Sequence, residues 1–511
     1  MKKNEKETTT SKAPQNSKSA FRSLLLLFTP KPGQRMKTNR YMLVTMIPVM
    51  MLFACLIAYL VWFNLFRAKE ISTSPYNRRM TEAAKNVIRG EIRSADGIVL
   101  ARTETDPENN QIREYPEGRK YAHVVGYSTR GMSGLESAMN FELLSSHEDI
   151  SEKIEHEIEQ KESAGDNVIT TLDSRLQESA WISLADWGIK KAAIVAIEPR
   201  SGRVLAMVSR PDFDPNSIDE EWDEITSDDH NSQLVNRVIS GKYPPGSTYK
   251  TVVALEYLKE HGGPDGFSYD CKDGYDIIKS VKMRCYDGEE THGEVNFHEA
   301  YYESCNKAFA TMAVGLNQSE FVDRNEDLFF NKDIEFDLKV SKSRFGLTRH
   351  SDKSLIPQTA IGQGEVLMTP FHNALIMCAV ANDGILMKPF LVDKIVSVSN
   401  SVVKQTKEKE YKQLMTAEEA KELQSMAREV VTKGTASRLS DKDYYVAGKT
   451  GTADVKDHSP HSWFVGYAGK EEGDADIVIC VICENSGSGS RVAVPIAGEI
   501  LDTFYEDVYG Q

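Results

Sequence analysis

YYVAGKTGTADV, residues 444–455, is the stretch on which the fold turns. Its Gly448-Lys449-Thr450 matches the tail of a phosphate-binding loop. Such a loop requires G-x-x-x-x-G-K-[ST] between a strand and a helix. Five positions before Gly448 stands Asp443, and the following TADVKDHSPHSWFVGYAG reads as a turn and a second strand. The nucleotide reading fails on both counts. A strand that carries Lys-Thr-Gly can instead line the edge of a cleft. There Lys449 and Thr450 bind a carboxylate, and Gly451 lets a substrate backbone come close.

Around this strand the pattern predicts a sheet. Three strands fall at 443–454, 461–468 and 476–484. An earlier hairpin, KAAIVAIEPRSGRVLAMVSRPDFDPN, places two apolar runs around EPRSG. Helical pattern dominates from about 245 to 435, and VPIAGEILDTFYEDVY closes the chain as an amphipathic helix. Two strands early, three late and helices between predict an α/β fold: a five-stranded antiparallel sheet flanked by helices, with a helical lobe inserted in the middle.

Two upstream stretches carry candidate chemistry. In YPPGSTYKTVVALEYLKEHGG, Pro244, Pro245 and Gly246 break the chain, and a helix is predicted from Ser247 to near Gly262 and Gly263. Ser247 and Lys250, three apart, share one face of its first turn. A serine hydroxyl needs an adjacent base to become a nucleophile, and a buried lysine can be that base. Taken alone, the pair also fits a capping serine followed by a surface lysine. In FHEAYYESCNKAFATMAVGL, Ser304-Cys305-Asn306 falls in a predicted helical region and can aim a hydroxyl and an amide into one cleft. Serine and asparagine are equally common as caps and turn residues.

The chain begins with a basic segment: residues 1–40 hold ten Lys/Arg against two acidic residues, in a chain of net charge −15. A basic head on an acidic body excludes a nucleic-acid-binding body. The composition of residues 1–40 predicts a disordered cytoplasmic tail. Residues 41–66, YMLVTMIPVMMLFACLIAYLVWFNLF, contain no charge and suffice to span a bilayer. The run ends in NLFRAKE, without a small-residue cleavage site, and so predicts an uncleaved single-pass anchor. Arg22, Lys31, Arg35, Lys37 and Arg40 before it place the N-terminus in the cytoplasm and residues 67–511 outside. Residues 67–165 form a small mixed α+β pedestal. Within it VIRGEIRSADGIVLA reads as two strands around an Asp96-Gly97 turn, and residues 148–166 as a solvated charged helix or a linker. Residues 166–511 form the principal domain.

Of the seven cysteines, Cys271 and Cys285 fit either a disulfide or two free thiols. Cys480 and Cys483 form a C-x-x-C, but on a strand such a pair points to opposite faces. Without a second C-x-x-C or a His pair, they are read as packing residues, and no metal ligand set is assigned.

S-x-x-K, S-x-N and K-T-G in this order, at 247, 304 and 449, are the set attached to penicillin-binding proteins and serine β-lactamases. The sequence resembles the class B, monofunctional penicillin-binding proteins. RGEIRSADGIVLA and GMSGLESAMN resemble boxes of the family's pedestal, a dimerisation-like domain. TTLDSRLQESA, GRVLAMVSRPDFDPN, TAIGQGEVLMTPFHNA and HSWFVGYA resemble signatures of its transpeptidase domain. With no glycosyltransferase domain and no C-terminal repeats, it resembles a short member.

The resemblance implies a peptidoglycan D,D-transpeptidase without metal or cofactor, inhibited covalently by β-lactams. Ser247 would attack the penultimate D-Ala carbonyl of a stem peptide while Lys250 takes its proton. Ser304 and Lys449 would shuttle protons. Asn306 would hold the substrate backbone, and Thr450 and Thr452 its carboxylate. The N–H groups of Ser247 and Thr452 would form the oxyanion hole. By resemblance, the partner is a membrane glycan polymerase. A β-lactamase, a D,D-carboxypeptidase and a non-catalytic wall-synthesis scaffold are the rival readings.

Overall fold

The computed structural model describes residues 37–66, 87–107, 110–147, 163–228, 231–272, 276–278, 281–285 and 291–509. The predicted disordered tail, apart from its last four residues, and the charged helix or linker over 148–162 lie outside the described residues.

The chain divides into two units, Met1–Ser74 and Pro75–Gln511. The first contains helix α1, Lys37–Phe66. Within it Thr45–Asn64 is apolar, uncharged and nowhere buried. At 1.5 Å per residue those 20 residues reach ~30 Å, the thickness of a bilayer's hydrocarbon core.

The second unit holds two principal sheets. Its strands, in chain order, begin with β1 (Ile92–Arg93), β2 (Val99–Thr105), β3 (Gln111–Glu114) and β4 (Asn167–Thr170). Next come β5 (Ala192–Ile197), β6 (Val204–Arg210), β7 (Ser268–Cys271) and β8 (Gly293–Asn296). The last five are β9 (Val392–Val396), β10 (Val402–Gln405), β11 (Tyr445–Val455), β12 (His458–Gly469) and β13 (Ile477–Cys483). The helices used below are α2 (Ser174–Asp186), α3 (Lys250–His261), α4 (Phe297–Tyr302), α5 (Asn306–Gly315), α6 (Pro370–Ala381), α7 (Ala417–Thr432) and α8 (Ala493–Thr503).

One sheet runs β10-β9-β4-β1-β2-β3. The β1–β2 hairpin closes as read: Ser94 N–H donates to Ile98 O at 2.9 Å, and Gly97 takes the φ of +93° that its turn requires. Strands β9 and β10 come from beyond residue 390; β9 pairs onto β4 and β10 onto β9, so this sheet continues across residue 165.

The other sheet, β11-β12-β13-β5-β6, is antiparallel throughout and is the predicted five-stranded sheet. AAIVAI and IVICVIC, strands β5 and β13, are buried along their whole length. Such continuous apolar runs mark strands covered on both faces. Helices α2 and α8 pack on each other, α8 also on β13, and α6 packs on β13 and β5. α6 is apolar and buried all round, as a helix between layers must be. It starts cleanly because Thr369 caps it and Pro370 occupies its first position. Cys480 and Cys483 are buried free thiols within β13, in keeping with a packing role. Strand β11 is the sheet's edge, so half of its backbone groups are left for a ligand.

Candidate active site

The three motifs converge on one cleft. Ser247 sits in a 3₁₀ turn, Gly246–Tyr249, that leads directly into α3. The predicted helix therefore begins one tighter turn early, and Lys250 is its first α-helical residue. The turn is held from several sides. Gly246 N–H donates to Gly362 O at 3.0 Å. Trp463 Nε1 on β12 donates to Pro244 O at 3.1 Å, and Asn373 Nδ2 on α6 donates to Thr248 Oγ1 at 3.1 Å. Gly246 adopts φ +57°, and a Cβ there would fall 2.8 Å from Thr452 O. The nucleophile's turn is thereby pressed against β11.

Ser304 lies outside the predicted helix, in a turn between α4 and α5. Its φ of +57° is left-handed. Cys305 N–H donates to Ala300 O at 2.9 Å and Ser304 N–H to Tyr301 O at 3.1 Å. These are the two bonds of a Schellman motif, with Ser304 at the position that glycine usually fills. A helical periodicity read across 297–316 misses this break, because no glycine marks it. The Asn296 capping box starts α4, and Cys305 Sγ, accepting from Ala308 N–H at 3.5 Å, caps α5.

Lys250 Nζ donates to Ser304 O at 2.5 Å, Ser304 Oγ at 3.1 Å and Asn306 Oδ1 at 2.8 Å. An ammonium has three donors, and here all three are used. Lys449 Nζ donates to the same Ser304 Oγ at 3.0 Å and to Thr450 O at 3.3 Å. Both lysines are fully buried beneath the cleft floor. Phe309 lies 5.6 Å from Lys250 Nζ, and Tyr301 lies 5.4 Å from Lys449 Nζ. Burial pushes Lys250 down to about 8, against a smaller opposing pull from Cys305 and Cys285. Burial pushes Lys449 well below the usual lysine range, and the Lys250 charge adds to it. Ser247 Oγ has no hydrogen-bond partner among the described residues.

The cleft above encloses about 550 Å³ and is lined by Ser247, Ser304, Asn306, Thr450 and Thr452. Thr450 Oγ1 shares a 2.5 Å hydrogen bond with Thr435 Oγ1. Gly489 N–H donates to Thr452 Oγ1 at 3.3 Å. Thr435 and the Ser488–Ser490 loop carry no motif, and sequence reasoning missed them. Gly451 has a different neighbour from the one expected. A Cβ there would meet Pro245 O at 2.9 Å, and Thr248 Cγ2 and Trp463 Cβ at 3.0 Å each. Its missing side chain admits the nucleophile's own turn. Cys271 and Cys285 are free thiols with sulfurs 3.8 Å apart.

Comparison with known proteins agrees with this geometry. The penicillin binding protein transpeptidase domain family matches residues 192–502, and the penicillin binding protein A dimerisation domain family matches residues 89–168. Peptidoglycan D,D-transpeptidase PbpA of Mycolicibacterium smegmatis is 27% identical over 481 residues, covering 88% of this chain and 96% of the relative. Peptidoglycan D,D-transpeptidase MrdA of Acinetobacter baumannii is 28% identical over 457 residues, covering 76% of this chain and 66% of the relative. The imipenem acyl-enzyme complex of penicillin-binding protein A from M. tuberculosis superposes with a TM-score of 0.75 at 25% identity, covering 84% of this chain and all of that one. With the transpeptidase family spanning most of the sequence and the three motifs meeting in one cleft, the chain belongs to the class B penicillin-binding proteins.

Proposed function

We propose that this protein is a serine D,D-transpeptidase that cross-links peptidoglycan stem peptides and is acylated by β-lactams. The observation that carries this reading is the convergence of Ser247, two buried lysines and Ser304 beneath a cleft whose edge strand presents Thr450 and Thr452.

In the first half-reaction Ser247 Oγ attacks the penultimate D-Ala carbonyl. Lys250 takes its proton in the neutral form that burial makes accessible. To do so its Nζ leaves one of its three acceptors, and a bound substrate provides the occasion by displacing Asn306 Oδ1. Ser304, hydrogen-bonded to both lysines, relays the proton to the leaving D-Ala amine. The N–H groups of Ser247 and Thr452 hold the oxyanion, a contribution of roughly 10²–10³ in rate per donor. Thr450, Thr452 and Lys449 receive the terminal carboxylate, and Asn306 the peptide backbone. An amine from a second stem then attacks the acyl-enzyme and releases Ser247.

Helix α1 anchors the chain with its N-terminus in the cytoplasm and the catalytic domain outside. Residues 67–165 act as the pedestal of the catalytic domain, 166–511, and as a docking region for a membrane glycan polymerase.

Intact-protein mass spectrometry of the full-length chain with penicillin tests the reading. The wild type gains one stable acyl adduct and Ser247→Ala gains none. An unmodified wild type refutes the enzyme reading, and rapid loss of the adduct as ring-opened product points to a β-lactamase.

A further inference from the structure

Helix α4, which delivers Ser304, is clamped to helix α7 through one imidazole. His298 stands in the first turn of α4. Its Nε2 lies 2.5 Å from Glu422 Oε1, and its Nδ1 lies 2.6 Å from Glu429 Oε2. The two glutamates are about two turns apart on α7 and so share one face. An ionised carboxylate only accepts, so both ring nitrogens donate and the ring carries a positive charge. Short contacts of this kind belong to hydrogen bonds between ionised partners. Glu429 is committed on both oxygens, because Lys433 Nζ donates to its Oε1 at 2.8 Å. Burial pushes Glu429 up, and the hydrogen bonds from Lys433 and His298 outweigh it, holding the carboxyl below the usual carboxylate range.

The clamp sits where it can act on the cleft. An exposed ion pair fixes little, but the side chains of His298, Glu422 and Glu429 are only 25%, 27% and 21% exposed. Contacts advance in the same direction along both helices: His298 meets Glu422 and Glu429, and Tyr302, at the end of α4, meets Gly434. A Cβ on Gly434 would fall 2.4 Å from Tyr302 O, so the helix ends touch backbone to backbone. Lys433 Nζ adds a contact 5.8 Å from the Tyr302 ring. Beyond this contact both chains enter the cleft. Soon after its end α4 leads to Ser304, and α7 leads to Thr435, which shares a hydrogen bond with Thr450. Ser304 and Thr435 both line the cleft. The hydroxyl that both lysines share and the strand that presents Thr450 are therefore spaced by the packing of α4 on α7.

We propose that His298 is a positioning residue for acylation: as an imidazolium bridging Glu422 and Glu429, it fixes α4 on α7 and so sets the distance between Ser304 and the Thr435–Thr450 side of the cleft. The inference rests on the transpeptidase reading and adds to it a residue that does not line the cleft. No motif marks it, because His298 stands 124 and 131 positions from its two partners. Histidine suits the place because a charged ring has two donors that point apart and can reach two carboxylates at once. An amide side chain donates from one nitrogen only and brings no charge.

The test measures acylation of the full-length protein, in detergent at neutral pH, by a fluorescent penicillin. His298→Ala lowers the acylation rate constant on the order of tenfold, as a small misplacement of a reacting group does. His298→Arg, whose guanidinium can donate to both carboxylates, recovers most of the rate. Glu422→Gln/Glu429→Gln, with His298 intact, also loses on the order of tenfold. Adding His298→Ala to that pair costs less than about twofold more, because the three residues act as one unit. A folded His298→Ala that reacts at the wild-type rate overturns the proposal, since the clamp then serves stability alone. So does an arginine variant as slow as the alanine variant, or losses that simply multiply. If His298→Ala does not fold, the glutamine pair and the arginine variant decide by the same rate constant. A wild type that is never acylated refutes the transpeptidase reading, whereas variants that match an acylated wild type refute the positioning role alone.

Discussion

The pH dependence of acylation follows from the Lys250 environment and can be worked out before any measurement. In the resting site Lys250 is an ammonium with all three protons donated. It serves as base only after losing one of them. Burial lowers its pKa from 10.5 to about 8. About one molecule in a hundred then carries neutral Lys250 at pH 6, about one in ten at pH 7, half at pH 8 and about nine in ten at pH 9. With an ordinary lysine the neutral share at pH 7 would be about three in ten thousand. Burial thus supplies a factor of roughly 300 in active base at neutral pH.

The assay is the second-order rate constant for acylation by a fluorescent penicillin, followed by stopped flow from pH 6 to pH 10. The carboxylate of the reagent is ionised throughout this range and adds no inflection. The groups facing Lys250 are Lys449, Cys285 and Cys305. Lys449 is itself pushed down by burial, and the Lys250 charge adds to that. The two thiols oppose the fall in Lys250, and their pull is already included in the value of about 8. The rate constant should rise tenfold from pH 6 to 7, about fivefold from 7 to 8, and less than twofold above 8. A profile that is flat, or that climbs tenfold per unit to pH 10, would refute Lys250 as a base tuned by burial.

Two substitutions separate structural from chemical roles. Ser304→Gly and Ser304→Ala both remove the hydroxyl that the two lysines share, so both should slow acylation by about 10²-fold or more. Only glycine relieves the left-handed backbone, and chemical unfolding should find Ser304→Gly more stable than Ser304→Ala by ~1–2 kcal/mol. Equal stability would mean that the turn is unstrained. Gly451→Ala drives a methyl group into Pro245 O, Thr248 Cγ2 and Trp463 Cβ. Such overpacking costs about 1–3 kcal/mol, so both the melting temperature and the acylation rate should fall. A loss of activity with an unchanged melt would return Gly451 to contact with the substrate.

How far the site was legible depended on how local each signal was. The K-T-G strand could be read because a phosphate loop makes two local demands, a glycine five residues earlier and a helix afterwards, and both fail at 443–468. The central strands could be read because burial on both faces leaves an unbroken apolar run, as in IVICVIC. The short strands from 268 to 296 were missed. They are two to four residues long and largely exposed, too short for a periodicity of two to register. The pairing of β9 onto β4 was missed as well. It joins residues more than 200 positions apart, and no local pattern specifies a partner at that distance. The turn at Ser304 was hidden because a serine occupies a glycine position. The clustering of Cys271, Cys285, His292 and Cys305 was hidden because only tertiary structure brings the four together.

The same comparison locates where this fold departs from its own local preferences. Strand periodicity, capping boxes and apolar helices agree with the architecture almost everywhere. Among the exceptions, two lysines in the interior and a serine in a left-handed turn meet at a single hydroxyl. Each has a cost: burial disfavours both lysine charges, and the left-handed conformation costs of order 1–3 kcal/mol for a residue other than glycine. Such features persist only where the surroundings hold them in place. Here the hold comes from the Schellman hydrogen bonds behind Ser304, the aromatic rings of Phe309 and Tyr301 beside the ammonium groups, and the press of Gly451 and Gly246 that locks β11 to the nucleophile's turn. Removing one hold should therefore loosen Ser304 before it unfolds the domain: in Phe309→Ala, the amides of Ser304 and Cys305 should lose protection in hydrogen exchange while those of β5 and β13 keep theirs. Equal loss in turn and sheet would mean that the ring supports the whole lobe and not the catalytic turn.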